Sequence, residues 1–403
     1  MQKSKHLKDA YLGIILLGIV SLMGDVVYEG ARGIVPSYLE FLGASYFVVG
    51  LAFGLGDFLG YALRLLSGFL ADATHAYWVF IFLGYGLIVS IPFLGFSTSL
   101  EIAIILVLLE RLGKAFRSPS RDTVLSVISK GIGAGKAFGI HELLDQIGAI
   151  IGPLMVAFLM FSSNDYHYTF KFLFIPFVIL LAALTYTFKR IGAKTIIEGE
   201  KAEGRRKGKL EKPFYIYTLA VLLNTVGLIT YALILGKASE ILKPSEQQWI
   251  VPLIYLLIQG VDASVALIAG YSYDKFGIKV LTVPFILSIF PSLLVMGSSE
   301  LSTITIAAVF AGLVLGMQES IYRAAVSELT PIYLRGTAYG VFNTAYGVGF
   351  LISGAIYGFL MDVNAPLFAV AIYTFVTQLI ATVLLLKVSK VSKGKADLLN
   401  YKA

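Results

Sequence analysis

The sequence predicts an all-α membrane protein: twelve transmembrane helices in two pseudo-symmetric six-helix bundles. Three observations predict it. Of the 403 residues, 57% are hydrophobic and 14% are charged, with a mean hydropathy of +0.82. A soluble domain has about 45–50% apolar and about 25% charged residues, so this chain has too little polar surface to cover a water-soluble globule. The same figures exclude disorder. Next, the apolar residues fall into twelve runs, each near the ~20 residues that a bilayer-crossing helix needs. Finally, the two halves echo each other at an interval of about two hundred residues, the mark of a duplicated unit.

In chain order the runs are 10–38, 45–71, 77–97, 100–120, 136–161 and 167–188, then 214–238, 248–273, 279–298, 301–326, 336–361 and 366–388. Period-two alternation is not the pattern, so a β-barrel is not expected. The first run is too long and too acidic for a cleavable signal peptide. Lysine and arginine set orientation. They gather at Lys3, Lys5 and Lys8, at Arg121, Lys130 and Lys136, and at Lys387, Lys390, Lys393, Lys395 and Lys402. Nine more lie in 189–213, including Arg205, Arg206 and Lys207, whereas the opposite connections hold Lys171, Lys237 and Lys243. Both termini and the 189–213 loop are therefore expected in the cytoplasm. The net charge of +7 then reflects topology and attraction to the lipid bilayer, and nucleic acid is not an expected partner. The loop has no apolar periodicity and divides the chain into bundles 1–188 and 214–403.

The repeat is visible in particular residues. Ala137-Phe138-Gly139 returns as Ala338-Tyr339-Gly340. In the same register Gly148 matches Gly349, and Gly152-Pro153 matches Ser353-Gly354. Gly68-x-x-x-Asp72 returns as Gly270-x-x-x-Asp274 after the second run of each half. Two six-helix halves, a basic central loop and these Gly-x-x-x-Asp turns resemble the major facilitator superfamily. The second turn, Gly270 to Lys279 with Asp274 and Gly277, fits that family's loop motif. The first, Gly68 to His75, keeps Gly and Asp but lacks the basic residues that usually follow. Gly148-x-x-x-Gly152-Pro153 resembles a motif of the family's drug/proton antiporter group. Arg111 near Gly113 loosely matches its helix-4 arginine motif. The resemblance spans essentially the whole chain and implies transport by alternating access, by a monomer, with no cofactor.

These motifs have physical readings of their own. Glycines four apart let helices approach closely, and Pro153 removes one backbone bond. Gly148, Gly152 and Pro153 thus form either a tight, leak-proof seam or ordinary close packing. Asp72 and Asp274 either latch a cytoplasmic gate or simply cap a helix.

Ionisable residues inside membrane spans are costly and mark function by default. Asp25, Glu29 and Arg32 share one face of the first span, and Asp57, Tyr61 and Arg64 one stripe of the second. The fourth carries Glu110, Arg111, Lys114, Arg117 and Arg121. The fifth carries His141, Glu142 and Asp145, and the stripe from His141 through Asp145 runs into Gly148 and Gly152. The eighth has Asp262, and the tenth Glu319, Tyr322 and Arg323. The deeper acids are Asp25, Glu29, Asp57, Glu110, Glu142, Asp145, Asp262 and Glu319. They outnumber the deeper bases Arg32, Arg64, Arg111, Lys114 and Arg323, with Arg117 and Arg121 placed nearer the cytoplasmic end. Some carboxylates are therefore expected without a cation, and such a group can bind and release a proton. Glu142 and Asp145, then Asp25 and Glu29, with His141 beside them, are the expected proton carriers. His141 is equally readable as a structural histidine, Glu319–Arg323 as a static ion pair and Asp57–Arg64 as a clamp.

The substrate cavity is expected to take Arg32, Asp57, Arg64, Arg111, Asn224, Tyr231, Asp262, Glu319, Arg323 and Asn343. No cysteine is present, and the four histidines are widely spaced, so no metal site is expected. Phosphate-loop and serine-nucleophile motifs are missing, and an enzyme is not expected. The sequence therefore points to a proton-coupled secondary transporter of a cell membrane, exporting a small organic solute by antiport. The alternative is uptake or exchange of an organic or phosphate-bearing anion held by the intramembrane arginines.

Overall fold

The computed structural model describes residues 2–129, 132–192, 208–243, 246–331 and 334–400, with side chains between 10 and 388 apart from 134. Residues 193–207 of the basic central loop, Lys130 and Lys402 lie outside the described residues, as do the side chains of the terminal lysines before 10 and after 388.

Among the described residues every regular element is helical. The first half contains α1 (Gln2–Arg32), α2 (Val35–Phe41), α3 (Tyr46–Thr74), α4 (Tyr77–Gly86), α5 (Ser90–Phe93), α6 (Leu100–Ile128), α7 (Ala134–Ser163), α8 (Tyr166–Phe172) and α9 (Phe174–Ile191). The second contains α10 (Lys212–Val226), α11 (Tyr231–Leu242), α12 (Val251–Phe276), α13 (Thr282–Leu287), α14 (Ile289–Gly297), α15 (Leu301–Met317), α16 (Arg323–Leu329), α17 (Arg335–Asp362) and α18 (Leu367–Asn400). Ten helical stretches of the described residues are long and apolar enough to cross a membrane. Two features separate this from the twelve runs. The eighth and ninth merge into one stretch, Gln248–Gly297, and α6 is helical but too charged to qualify.

Several expected spans divide between successive helices, the first and the seventh among them. Residues 10–38 divide between α1 and α2 at Gly33, with Pro36 in the first turn of α2, where its missing N–H costs nothing. Residues 214–238 divide between α10 and α11. Three carbonyls at that break accept side-chain hydrogen bonds. Val226 accepts from Tyr373 Oη at 2.9 Å, Gly227 from Tyr357 Oη at 2.8 Å, and Leu228 from the Ser353 hydroxyl. Ile229 N–H donates to Ser292 Oγ at 3.1 Å. A helix end can stay buried only when such groups are paired.

The chain forms two compact units. Unit one comprises Met1–Gly43, Leu59–Glu203 and Ser245–Leu256; unit two comprises Ala44–Phe58, Gly204–Pro244 and Leu257–Ala403. In unit one α1 packs on α7 and α9, and α4 on α6. In unit two α10 packs on α17 and α18, and α14 on α15 and α18.

The Gly-x-x-x-Asp turns show why the repeat survives a change of residue. Three positions after Asp274, Gly277 takes φ +62°; three positions after Asp72, His75 takes φ +54°. Both turns need a left-handed residue there, which glycine adopts freely and histidine tolerates better than most side chains.

Candidate functional site

The site in unit one starts from the α1–α7 seam. A β-carbon on Gly148 would lie 2.5 Å from the Leu22 carbonyl oxygen and 2.8 Å from Asp25 Cβ. On Gly152 it would lie 2.7 Å from the Val26 carbonyl oxygen. On Gly30, across the seam, it would lie 2.9 Å from the Gly152 carbonyl oxygen. Pro153 is buried beside them. Backbone therefore meets backbone along this line, and no side chain fits between.

α1 turns Ser21, Asp25, Glu29 and Arg32 toward one face by spacings of four, four and three. α6 answers with Glu110, Lys114, Arg117 and Arg121. Glu29 is a hub. Its Oε1 receives Arg32 Nη1 at 2.7 Å and lies 3.9 Å from Lys114 Nζ, while its Oε2 accepts from the Tyr255 hydroxyl. Glu110 lies between Arg111 Nε and Arg117 Nη2, each 3.7 Å away. The guanidinium of Arg117 also reaches the Gly84 carbonyl at 3.4 Å, and its Nη2 has no hydrogen-bond partner. Gly84 makes that approach possible, because a β-carbon there would lie 2.5 Å from Arg117 Cβ. Three cations converge on the Tyr28 ring: Arg32 at 4.9 Å, Lys114 at 5.1 Å and Arg117 at 4.8 Å.

Further along α1, Arg121 Nη1 donates to Ser21 Oγ at 3.0 Å and lies 3.5 Å from Asp145 Oδ2. His141, itself buried, places Nδ1 3.4 Å from the same oxygen. Asp25 differs from these carboxylates. It is 6% exposed, and no ion pair within 4 Å reaches it among the described residues. The carboxylates of Asp145 and Glu29 lie within electrostatic range of it.

The structure thus gathers Asp25, Glu29, Arg32, Arg111, His141, Asp145, Gly148, Gly152 and Pro153 in one unit. It corrects two expectations. Glu142 does not share the surroundings of Asp145: it is exposed and accepts from Gln146 Nε2 at 3.1 Å. The buried stripe of α7 runs His141–Asp145–Gly148–Gly152, and Glu142 lies about 100° away from His141 around the helix. The acid surplus also fails locally. Arg117, nearer the cytoplasmic end of its span, is nonetheless 2% exposed. Asp122 holds Arg121 at 2.9 Å, so cations Arg32, Arg111, Lys114, Arg117 and Arg121 are matched in number by carboxylates Asp25, Glu29, Glu110, Asp122 and Asp145.

The remaining expected residues sit elsewhere. Arg64, half-buried, stacks its guanidinium 5.1 Å over the Tyr61 ring in unit one. Asp57 is half-buried and Asp262 buried in unit two. The Asp262 carbonyl packs against Gly316. Glu319 and Arg323 are exposed and make no ion pair with each other; Glu319 belongs to a π-helical turn, Gln318–Tyr322, a geometry common at functional positions. Tyr231 meets the Phe53 ring edge-on at 5.8 Å. Asn343 keeps a buried Oδ1 without a hydrogen-bond partner. Asp72 is exposed and accepts from Tyr77 Oη at 2.9 Å; Asp274 is exposed.

Asn224 anchors a neutral network in unit two. Its Nδ2 donates to Gln378 Oε1 at 2.8 Å and Ser288 Oγ at 3.1 Å. Its Oδ1 accepts from Tyr322 Oη at 2.6 Å and Gln318 Nε2 at 3.3 Å, and Tyr346 donates to Gln318 at 2.8 Å. Sequence reasoning missed Gln318, Gln378 and Tyr255. Their partners are distant in sequence, and no local spacing signals them.

The repeat holds at the contact level. Gly349 packs against Thr225 Cβ and the Leu222 carbonyl as Gly148 packs against Asp25 Cβ and the Leu22 carbonyl. The second unit therefore carries a threonine where the first carries the buried Asp25.

Comparison with known proteins agrees with this architecture. A family model described as Major Facilitator Superfamily matches residues 14–354 and 217–399. An uncharacterized protein of Mycobacterium tuberculosis is 35% identical over 365 residues, covering 88% of each chain. An uncharacterized MFS-type transporter of Methanocaldococcus jannaschii is 29% identical over 391 residues, covering 93% of this chain and 94% of the relative. Among solved structures, the nucleoside transporter NupG superposes with a TM-score of 0.69 at 14% identity, covering 92% of this chain and 98% of the other. The peptide transporter POT in complex with sulfate superposes at 0.66, also at 14% identity, covering 94% of each. At that identity the likeness concerns the fold.

Proposed function

The chain belongs to the Major Facilitator Superfamily, as a multi-pass membrane transporter, and from that premise we propose that it is a proton-coupled secondary active transporter of a small organic solute. In this reading twelve spans form two six-helix halves in the cell membrane of a monomer. Both termini and the 189–213 loop face the cytoplasm, and transport proceeds by alternating access. No chemical step on the solute is needed.

The observation that carries coupling is Asp25. It is buried without an ion-pair partner in the α1–α7 seam. A carboxylate that is enclosed in one conformation and wetted in another changes proton occupancy between them. Asp145, tied to Arg121 and His141, is a second relay position next to it.

Two directions are compatible with such a carrier. Export by antiport is supported by Gly148-x-x-x-Gly152-Pro153, where the backbones of α1 and α7 come into close contact. Uptake or exchange of an anion is supported by the cations Arg32, Lys114 and Arg117 gathered around the Tyr28 ring. Proteoliposomes holding a pH dye separate the two. Solute and proton crossing in opposite senses is antiport, and crossing in the same sense is symport. Solute flux with no proton movement would rule out coupling.

A further inference from the structure

We infer that the exposed side of α9 is a binding site for one anionic phospholipid, its phosphate held by Lys189 and Arg190 and one acyl chain laid along the helix. The inference goes beyond the proposed transport and needs only that the chain crosses a membrane. Val178, Leu181, Ala182, Thr185, Tyr186 and Lys189 line a groove of about 450 Å³. Their spacings of three and four put them on one stripe of α9. The opposite stripe, with Phe177, Leu180, Leu184 and Ile191, is buried. Leu180 and Ile191 pack on α1, where β-carbons on Gly24 and Gly13 would meet them at 3.3 and 3.5 Å. α9 is fixed by that inner face, so the groove is formed before any ligand arrives.

The groove has two chemically different ends. Val178, Leu181 and Ala182 offer only hydrocarbon. Thr185 donates its hydroxyl to the Leu181 carbonyl at 2.8 Å. At the other end stand the Tyr186 hydroxyl and the Lys189 ammonium, and Arg190 brings its guanidinium 5.9 Å over the Tyr186 ring. None of the described residues lining the groove is acidic. Two cations at one end suit a phosphate on a headgroup of net negative charge. Depth agrees with this. From Val178 to Lys189 the helix rises about 16 Å, and one leaflet's hydrocarbon is about 15 Å deep. Trp78, at the start of α4, packs against Phe188 at 5.1 Å, and tryptophan collects at the headgroup level.

Other occupants fit the groove less well. A second copy in the same membrane orientation would set its own Lys189 and Arg190 at the same depth, where like charges repel. A free phosphate would leave the apolar end bare. A zwitterionic lipid would bring its own cation to Arg190.

The test titrates the full chain in detergent with phosphatidylglycerol, phosphatidylcholine or glycerol 3-phosphate and counts bound molecules by native mass spectrometry. Phosphatidylglycerol should fill one site at lower concentration than phosphatidylcholine, and glycerol 3-phosphate should not displace it. Half-saturation should rise at least about tenfold in Lys189→Gln with Arg190→Gln. It should rise similarly in Ala182→Trp, which fills the groove and keeps both charges. Lys189→Arg with Arg190→Lys should bind as the native protein does, and so should Lys209→Gln with Lys212→Gln, which removes two exposed cations elsewhere. Equal affinity for the two lipids, or displacement by glycerol 3-phosphate at matched concentration, overturns the assignment. An affinity that ignores Ala182→Trp also overturns it, because the lipid then lies outside the groove. Equal losses in the two glutamine pairs would do the same, by showing attraction to basic surface in general. Solute flux enters none of these measurements, so failure here leaves the transporter reading in place.

Discussion

Asp25 stands directly across the α1–α7 seam from Gly148, where a β-carbon would approach its own Cβ to 2.8 Å. The buried acid thus sits where two helix backbones touch and where any sliding of α7 on α1 changes its surroundings. The position is set by glycine, because a larger residue would hold the helices apart.

Gly148→Ala should therefore destabilise the protein by about 1–3 kcal/mol, the usual range for overpacking. Gly139→Ala on the same helix, where a β-carbon meets nothing within 4 Å, should be neutral or stabilise by up to about 1 kcal/mol. Thermal unfolding in detergent checks the pair. Equal effects at both positions would mean that α7 does not meet α1 through Gly148.

Glu29→Gln should lower stability more than any neutral change nearby. It leaves Arg32 and Lys114 facing an amide, and breaking a buried ion pair on one side costs about 3–5 kcal/mol. Tyr255→Phe removes only the hydroxyl that bonds Glu29 and should cost about 1 kcal/mol. Unfolding midpoints of the two variants should fall in that order.

The native chain has no cysteine, so single cysteines report topology without background. Asp72→Cys and Asp274→Cys should react with an impermeant maleimide only from the cytoplasmic side. Ser99→Cys and Glu300→Cys should react only from the other. Labelling of Asp72→Cys and Glu300→Cys from the same side would overturn the proposed orientation.

What could be read in the sequence was whatever is local. Gly148 and Gly152 announce a close approach by their spacing, and the Asp72 and Asp274 turns announce their repeat. The stripe from His141 to Gly152 is likewise a matter of periodicity. Periodicity does not say which edge of that stripe meets α1, so Glu142 looked equal to Asp145 until the packing separated them. The burial of Arg117 could not be read along the chain because it depends on Gly84, on another helix. The Asn224 network was beyond reach for the same reason. Gln378 is 154 residues from Asn224, and only the packing of α10 on α18 brings them together. Ion pairing misled in the same way, since counting acids along the chain ignores which cations the fold delivers.

The measurement that tests the central claim most directly compares the native protein with Asp25→Asn in proteoliposomes, following solute exchange and luminal pH together. A proton carried on Asp25 predicts that the variant still exchanges labelled solute for unlabelled solute. It also predicts that the variant no longer moves protons with solute or accumulates solute against a gradient. Proton movement that persists undiminished in Asp25→Asn, with solute flux intact, would contradict it.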